Sequence, residues 1–462
     1  MRERFLYIKT FGCQMNERDS EIIEHLLYPV GFLPVAEMGR ADLVVINTCS
    51  IRAKAEQKVY SLLGQLRQNK SRNPALLICV AGCVAQQEGK IIQQRMPHVD
   101  IVVGTQQIYQ LPEMIRKLDR GTVEPMLAVN LDSSFAIPAF QDYHYQEKKP
   151  SCSPSPAPDF KKFVTIMQGC NNFCSYCVVP YTRGREISRP VADILDEIRV
   201  LLARGVSEIT LLGQNVNSYG QTNSVVDHGS VHFADLLRQV AALPGLKRLR
   251  FTTSNPKDLS DALMRCFAEI ENLCPQFHLP VQSGSDRVLK RMNRNYTVAG
   301  YLLKVRTLRS YQPDLALSTD IIVGFPGETD EDFAATMELL QTVQYHSSFS
   351  FKYSDRPGTR SAGFDHKVDE KVKSERLARF QALQDSVSLE RNRAYVGRIM
   401  EVTVEGKGKN NMLYGRTTTN HIVHFPASGM DRIRPGDALQ VRINLAGQHS
   451  LTGKITGEQY HD

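Results

Sequence analysis

Apolar residues in the first third of the chain form short unbroken runs, each followed by a longer stretch of helical spacing. The runs are RFLYIKTFGC, DLVVINTC, ALLICVAGC and VDIVVGT. In the stretches between them, apolar residues recur every three or four positions, as on one face of a helix. Continuous apolar runs are typical of parallel strands that are buried on both faces of a sheet. We therefore predict an open α/β domain over residues 4–120.

The same alternation returns after a segment of different composition. Residues 131–160 are rich in Pro and Ser and have no sustained period, which predicts a linker. Over residues 161–393, six more strand-like runs lead into loops and helical stretches, and a long charged helix follows. Six such units predict a full or partial βα barrel of the TIM type, with chemistry at the carboxyl ends of its strands.

The last segment, residues 395–460, consists of short alternating strands separated by glycine turns. This pattern predicts a small antiparallel β-barrel. The expected fold class is therefore α/β, with an N-terminal open parallel domain, a central βα barrel and a C-terminal small β-barrel.

Composition narrows the class of protein. The chain has 462 residues, of which 42% are hydrophobic and 23% charged, as in soluble globular proteins. It has no run of eighteen apolar residues and no apolar core of a signal peptide, so we expect a cytoplasmic protein without a membrane partner. The net charge of +7 is compatible with a nucleic-acid partner but does not require one. Ten cysteines in a cytoplasmic chain favour metal binding or catalysis over disulfides.

Three of the cysteines form a compact motif. Cys170, Cys174 and Cys177 stand in the order C-x3-C-x2-C, directly after the first strand of the predicted barrel. Three thiolates can hold three irons of a cubic four-iron cluster, and the fourth iron is then open to a substrate or cofactor. The sequence therefore predicts an iron–sulfur cluster with an open iron.

Zinc is the alternative occupant of this motif. A structural zinc site would need a fourth Cys or His. The nearest candidates are His144 and Cys152 in the predicted linker and His228 in a polar loop. Unmetallated thiols are a second alternative.

Another set of three cysteines is dispersed in sequence. Cys13, Cys49 and Cys83 each come just after a predicted strand of the N-terminal domain. The carboxyl ends of parallel strands share one edge of the sheet, and neighbouring strands lie about 4.8 Å apart. We therefore expect the three thiols to converge and to hold a second cluster, the alternative being coincidental placement. The cysteines with apolar neighbours, which we interpret as structural, are Cys79, Cys266 and Cys274.

The C-x3-C-x2-C motif on a barrel strand is similar to that of radical S-adenosylmethionine (SAM) enzymes. The two cysteine sets and the C-terminal barrel together resemble the methylthiotransferases of that superfamily. Five segments are similar to the bacterial branch that acts on dimethylallyladenosine beside the anticodon: TFGCQMNERDSE, CVVPYTRGRE, HLPVQSGSDRVLKRMNRNYT, TDIIVGFPGETDEDF and YSDRPGTRSA. After the first cysteine, the threonylcarbamoyladenosine branch usually shows Lys-Val-Asn and the branch for a ribosomal-protein aspartate Pro-Lys-Asn. This chain has Gln14-Met15-Asn16.

The resemblance implies an enzyme, a transferase that adds a methylthio group to C2 of the adenine, and it implies two [4Fe-4S] clusters and SAM as cofactors. Cys170, Cys174 and Cys177 would bind the cluster that holds SAM. The second cysteine set would bind an auxiliary cluster that supplies or carries sulfur. One SAM would methylate that sulfur, and a second would give the radical that takes hydrogen from C2. The implied partners are the anticodon stem-loop of tRNA and an electron donor such as a flavodoxin or ferredoxin. We expect a monomer, and the sulfur donor stays unassigned.

Further residues are candidates for SAM contacts. Gln214 and Asn215 follow the second barrel strand, and the alternative is that they cap a polar loop. Gly324 and Glu328 could let backbone approach the cofactor, or they could form a βα turn in which Thr329 is a helix N-cap.

His278, Gln282 and Ser283 lie at the predicted barrel mouth, although a lone histidine is more often a core residue. The C-terminal barrel resembles the RNA-binding TRAM domain. The basic residues expected to contact RNA are Arg183, Arg185, Lys407, Lys409 and Arg416, and Arg183 and Arg185 could instead meet SAM. The alternative for these residues is an ordinary solvated basic face. The alternative functions are a methylthiotransferase that acts on threonylcarbamoyladenosine tRNA or on a ribosomal protein aspartate. A non-enzymatic iron–sulfur carrier or RNA-binding scaffold is a rival from another class.

Overall fold

The computed structural model describes residues 3–50, 53–122, 124–143, 160–221, 231–408, 412–426 and 433–456. Three domains follow one another in the predicted order. Within the described residues, no helix is both long enough and apolar enough to cross a membrane.

The N-terminal domain is a six-stranded parallel sheet with the order β2-β1-β3-β4-β5-β6. Its strands are β1 (Arg4–Thr10), β2 (Phe32–Pro34), β3 (Leu43–Thr48), β4 (Leu77–Gly82), β5 (Ile101–Val103) and β6 (Met126–Ala128). Its helices are α1 (Gln14–Leu27), α2 (Ala53–Arg72), α3 (Cys83–Arg95), α4 (Leu111–Asp119) and α5 (Phe140–Tyr143). Successive side chains of β3 and β4 enter two different hydrophobic clusters, one on each face of the sheet. This two-sided burial explains the unbroken apolar runs.

Two local features of this domain differ from the sequence prediction. β6 lies beyond residue 120, where the domain was predicted to end, and it completes the sheet. Part of the predicted linker is packed, because Phe140 is buried and its backbone N–H donates to Asp193 Oδ1 at 2.8 Å. Residues 144–159 of the predicted linker lie outside the described residues.

The central domain contains all six predicted barrel strands. Its strands are β7 (Lys161–Thr165), β8 (Met167–Gln168), β9 (Ile187–Ser188), β10 (Glu208–Leu212), β11 (Arg248–Thr252), β12 (Gln276–His278), β13 (Ala316–Val323) and β14 (Ser347–Lys352). Its helices are α6 (Val179–Thr182), α7 (Val191–Ala203), α8 (Phe233–Ala241), α9 (Asp261–Glu269), α10 (Asp286–Arg291), α11 (Val298–Tyr311), α12 (Asp330–Val343) and α13 (Glu370–Arg393). The long strands form two parallel sheets, β11-β10-β7 and β12-β13-β14. Among the described residues no sheet pairs β14 with β7, so the barrel is partial and open on that side.

The C-terminal domain is a closed five-stranded barrel with the order β15-β16-β17-β19-β18. Its strands are β15 (Ile399–Lys407), β16 (Met412–Thr417), β17 (Ile422–Pro426), β18 (Ala438–Ala446) and β19 (Leu451–Ile455). The pair β17 and β19 is parallel, whereas the other pairs are antiparallel as predicted.

Two buried arginines on β11 donate hydrogen bonds to backbone carbonyls of this C-terminal barrel. Arg248 Nη1 donates to the carbonyl of Arg416 at 2.9 Å, and Arg250 Nη2 donates to the carbonyl of Thr417 at 2.9 Å. Arg248 and Arg250 are the first and the third of the five residues of β11. The C-terminal domain therefore contacts β11 from its first residue to its middle.

Candidate functional site: two groups of cysteines

Three cysteines of the N-terminal domain lie at the carboxyl ends of adjacent strands. Cys13 follows β1, Cys49 follows β3 and Cys83 is the first residue of α3 after β4. The strands β1, β3 and β4 are direct neighbours in the sheet. Gly12 has a φ of +147°, and a Cβ built on it would lie 2.4 Å from the Cβ of Cys49. Only glycine allows the two loops to approach this closely. The structure thus brings together the three cysteines that the sequence singled out.

Two buried asparagines hold the loops that carry Cys13 and Cys49. Asn16 Nδ2 donates to Asn47 Oδ1 at 2.9 Å and to the carbonyl of Thr48 at 3.0 Å. The Cys13 thiol donates to Asn16 Oδ1 at 3.3 Å. Sequence reasoning missed Asn47, and the available signal was a polar residue at the end of an otherwise apolar strand.

Arg183 of the central domain brings a positive charge to this cysteine group. Its Nη2 donates to Asp19 Oδ2 at 2.6 Å, and both side chains are buried. A hydrogen bond from Cys49 lowers the pKa of Cys13 to about 6, and the charge of Arg183 adds to this effect against the opposing effect of burial. Burial raises the pKa of Cys83, and Arg183 partly offsets that rise. With 3% of its surface exposed, Arg183 lies against the cysteines and not on a face open to RNA, which differs from the RNA contact that the sequence suggested.

The second group of cysteines lies on the loop after β8. Cys170 and Cys174 are buried and Cys177 is partly buried. The Cys177 backbone N–H donates to the carbonyl of Cys174 at 3.0 Å, which closes the loop on itself. Burial raises the pKa of Cys170, and burial together with the Cys174 thiol raises the pKa of Cys177 to about 12. The loop thus gathers its three cysteines within one short, mostly buried turn.

Donor groups from other segments surround these sulfur atoms. Arg294 Nη1 donates to Cys174 Sγ at 3.4 Å, and its Nη2 donates to the carbonyl of Pro280 at 2.8 Å. Asn172 Nδ2 donates to Cys170 Sγ at 3.5 Å. Hydrogen bonds from a cation stabilise the thiolate form. Sequence reasoning missed Arg294, which lies 120 residues from Cys174 along the chain and reaches it only through the fold.

The candidate SAM residues differ in their contacts. Gln214 Oε1 accepts a hydrogen bond of 2.5 Å from the backbone N–H of Gly169, which places it directly beside Cys170. Asn215 is buried and its Nδ2 donates to Ser218 Oγ at 2.9 Å and to Asp258 Oδ2 at 2.7 Å. Gln214 thus adjoins the cysteine loop, whereas Asn215 contacts Ser218 of its own loop and Asp258 of the loop after β11. A contact of either residue with SAM stays a prediction.

The turn after β13 uses Gly324 and Glu328 for internal contacts. Glu328 Oε1 accepts from the backbone N–H of Gly324 at 2.8 Å and from Arg376 Nη1 at 2.7 Å. Thr329 is the N-cap of α12, as predicted, and its Oγ1 accepts from the Asp332 backbone N–H at 3.3 Å. These contacts match the βα turn that the sequence allowed as the alternative to SAM binding.

The remaining candidate RNA contacts lie in different surroundings. Lys407 is exposed at the end of β15, whereas Arg416 Nε pairs with Glu405 at 3.2 Å. Arg185 is exposed, and its guanidinium lies 5.4 Å from the centre of the Phe173 ring. Lys409 lies outside the described residues.

Both cysteine groups suit iron–sulfur clusters by the chemistry of their donors. Each offers three thiols near a buried guanidinium that can offset the charge of thiolates. In the part of the chain that the structure describes, no three Cys, His, Asp or Glu side chains surround a position for a single metal ion. A cubic cluster has no such requirement, because each cysteine binds a different iron. The potential fourth zinc ligands His144, Cys152 and His228 lie outside the described residues.

Comparison with known families agrees with this division of the chain. Residues 5–104 match the uncharacterized protein family UPF0004, residues 164–340 the radical SAM superfamily and residues 393–456 the TRAM domain. A curated relative from Desulfotalea psychrophila, named tRNA-2-methylthio-N(6)-dimethylallyladenosine synthase, is 59% identical over 99% of this chain and 100% of its own length. A relative of the same name from Geobacter sulfurreducens is 48% identical over 99% of this chain and 98% of its own.

The chain belongs to the tRNA-2-methylthio-N(6)-dimethylallyladenosine synthase family. The resemblance to the methylthiotransferases and the three-part α/β fold are thereby confirmed. The predictions of a radical SAM enzyme, and of iron–sulfur clusters and SAM as its cofactors, are confirmed as well.

Solved structures of low identity share the fold. The radical SAM methyltransferase TsrM from Kitasatospora setae, with its tryptophan substrate and a SAM analogue bound, is similar with a TM-score of 0.58 at 15% identity. That match covers 78% of this chain and 75% of TsrM. The cobalamin-dependent radical SAM enzyme OxsB gives a TM-score of 0.53 at 11% identity, over 83% of this chain and 56% of OxsB.

Proposed function

We propose that this protein adds a methylthio group to C2 of dimethylallyladenosine next to the anticodon of tRNA. The observation that carries the proposal is the pair of three-cysteine groups in a chain that aligns over its full length with synthases of that name. The separate cysteine groups give one chain two cluster sites.

Cys170, Cys174 and Cys177 would hold the cluster that binds SAM, and Cys13, Cys49 and Cys83 would hold the auxiliary cluster. When bound, these groups supply the radical and sulfur chemistry that polar side chains lack, because the C2–H bond of adenine is not acidic enough for an ordinary base.

The chain's own residues position and charge-balance these groups. Arg294 and Asn172 donate to the sulfur atoms of Cys174 and Cys170. Arg183, fixed by Asp19, brings a positive charge to the N-terminal cysteines. Gln214 fixes the backbone of Gly169 beside the cysteine loop. These residues keep both cysteine groups ordered and lower the free energy of their thiolate forms.

The substrate reaches this site from a stacked RNA loop, so the target base leaves the stack and enters the protein. We propose that Arg185, Lys407, Lys409 and Arg416 contact the phosphates of the anticodon stem-loop. Such contacts position the RNA and are sensitive to salt. We also propose a cytoplasmic monomer that receives electrons from a flavodoxin or ferredoxin.

The test is a reaction with the reconstituted enzyme in the absence of oxygen. Protein loaded with iron and sulfide is mixed with SAM, reductant and tRNA that contains dimethylallyladenosine, and the nucleosides are analysed by mass spectrometry. We expect the 2-methylthio nucleoside and 5′-deoxyadenosine. Release of 5′-deoxyadenosine without any modified nucleoside would contradict the tRNA substrate and favour the rival with a protein substrate.

A further inference from the structure

The last strand of the partial barrel exposes two aromatic side chains on one face. Phe349 and Phe351 of β14 are 53% and 42% exposed. Strands of a parallel sheet covered by helices are normally buried on both faces. Ser350, which lies between the two phenylalanines, faces α13 because Gln381 Nε2 of that helix donates to its Oγ at 3.3 Å. Since successive side chains of a strand point to opposite faces, the two phenylalanines face the interior of the barrel.

Polar side chains adjoin these rings on the same inner face. Asp320 of β13 is the direct register partner of Phe349. The ring of His278 on β12 meets the Phe349 ring edge-on at 5.9 Å. His278 Nε2 lies 3.4 Å from Asp320 Oδ1, and its Nδ1 lies 3.0 Å from Ser318 Oγ. We call His278, Asp320, Phe349 and Phe351 the inner aromatic surface.

A hydrophobic cluster links this surface to the segment that carries the cysteine site after β8. Ile322 follows Asp320 on the same face of β13 and is the register partner of Phe351. Ile322 packs against a hydrophobic cluster that also contacts Tyr176, the neighbour of Cys177. The inner aromatic surface and the neighbour of Cys177 therefore border the same hydrophobic cluster, and β14 lies at the open edge of the barrel.

We propose that the inner aromatic surface binds the dimethylallyladenosine nucleoside itself, a proposal that rests on the proposed function. The dimethylallyl chain packs on Phe349 and Phe351, and the Asp320 carboxylate accepts a hydrogen bond from the N6–H group of the adenine. The register places the carboxylate directly beside the aromatic ring, and this spacing matches a ligand whose apolar chain is attached at the N6 donor. His278 holds the carboxylate in place. Exposed aromatic side chains are the usual platform for a base that has left its stack.

The same surface would select between modified adenosines. A threonylcarbamoyl group at N6 carries a carboxylate and a hydroxyl, whereas the dimethylallyl group is wholly apolar. An anionic group placed beside Asp320 and two phenylalanines would meet like charge and lose hydration. The proposal thus assigns the choice of substrate to Asp320 and Phe349, and not to the cysteine sites.

The experiment measures binding by the reconstituted protein with SAM present. Fluorescently labelled anticodon stem-loops carry dimethylallyladenosine, threonylcarbamoyladenosine or unmodified adenosine at the same position, and fluorescence anisotropy gives their affinities. We expect wild type to prefer the dimethylallyl stem-loop over the unmodified one. Phe349→Ala should reduce this preference by about tenfold, which corresponds to about 1.4 kcal/mol. Phe349→Leu should keep most of it, and Asp320→Ala should improve binding of the threonylcarbamoyl stem-loop.

Leu303→Ala is the matched control, because Leu303 is a large apolar residue that is 59% exposed on α11, away from the inner face. It should leave all three affinities unchanged. The exposure of Phe349 means that its replacement should not disturb folding, and equal iron content in all variants checks this. If wild type forms the methylthio product in the reaction that tests the proposed function, but Phe349→Ala keeps the full binding preference, only the surface proposal is overturned. If wild type shows neither product nor preference, both the surface proposal and the proposed function are overturned.

Discussion

Replacement of Arg183 by methionine should weaken the contact between the N-terminal and central domains. Arg183 Nη2 lies 2.6 Å from Asp19 Oδ2, and the two side chains are only 3% and 8% exposed. The variant would leave the Asp19 carboxylate buried without its cation. Breaking a buried pair by removal of one partner costs about 3–5 kcal/mol. A loss of about 3 kcal/mol lowers the melting temperature of a domain of roughly this size by about 6–12 °C.

Thermal unfolding of the cluster-free chain, followed by circular dichroism at neutral pH, measures this fall in melting temperature. The value to compare between variants is the midpoint of the first unfolding transition. Arg199→Met is the control, because Arg199 and Asp196 form a surface pair with side chains 56% and 45% exposed. Such a pair contributes about 0–1 kcal/mol, so the control should lose no more than a few degrees. The double variant Arg183→Met/Asp19→Leu should recover most of the stability, since it removes both buried charges.

Two outcomes would refute this reasoning. One is a melting temperature of Arg183→Met that equals that of the Arg199→Met control. The other is a double variant no more stable than Arg183→Met, because the loss would then come from packing and not from an unpaired carboxylate.

Three further predictions concern the clusters, a helix cap and RNA. Cys170→Ala should keep about half of the iron of wild type and release no 5′-deoxyadenosine, whereas the control Cys79→Ala should keep all of the iron because Cys79 is buried inside β4. Iron analysis measures the iron content, and chromatography measures the 5′-deoxyadenosine. Equal iron content in the two variants would contradict the assignment. Hydrogen bonds from Arg287 and Ser285 outweigh burial and lower the pKa of Asp332 from 3.8 to about 2. This carboxylate therefore contributes stability above about pH 4 that disappears as the pH falls towards 2. In unfolding experiments on the cluster-free chain, Asp332→Asn should be less stable than wild type at pH 7, and the difference should shrink in acid. A difference that is the same at all pH values would contradict this role of Asp332. Lys407→Ala should lower the slope of log affinity for tRNA against log salt by about one, as measured by binding titrations, and an unchanged slope would remove Lys407 from the interface.

The fold follows from local sequence pattern to a large extent. The apolar runs of β3 and β4 predict a parallel sheet because helices bury both faces of these strands. The six strands of the central domain are predicted by recurrence of the strand, loop and helix pattern. β2 was missed because it is a three-residue edge strand, too short for a period. The parallel pairing of β17 with β19 was missed because pairing direction depends on contacts distant in sequence.

Some residues of the candidate site are predictable from local sequence, whereas others come together only in the folded chain. Cys170, Cys174 and Cys177 are adjacent in sequence, and the convergence of Cys13 with its partners follows from the geometry of parallel strands. Arg294, by contrast, reaches Cys174 from 120 residues away, and no local pattern encodes such a contact. The burial of Arg183 against Asp19 was missed for the same reason, since that pair joins two domains.

A competition between two tRNAs tests the central claim most directly. The reconstituted enzyme receives SAM, reductant and equal amounts of tRNA with dimethylallyladenosine and tRNA with threonylcarbamoyladenosine in one vessel, and mass spectrometry quantifies both 2-methylthio nucleosides. The account predicts 2-methylthio-dimethylallyladenosine as the sole methylthio product. A methylthio group found only on threonylcarbamoyladenosine would contradict the substrate assignment and the role of the inner aromatic surface together.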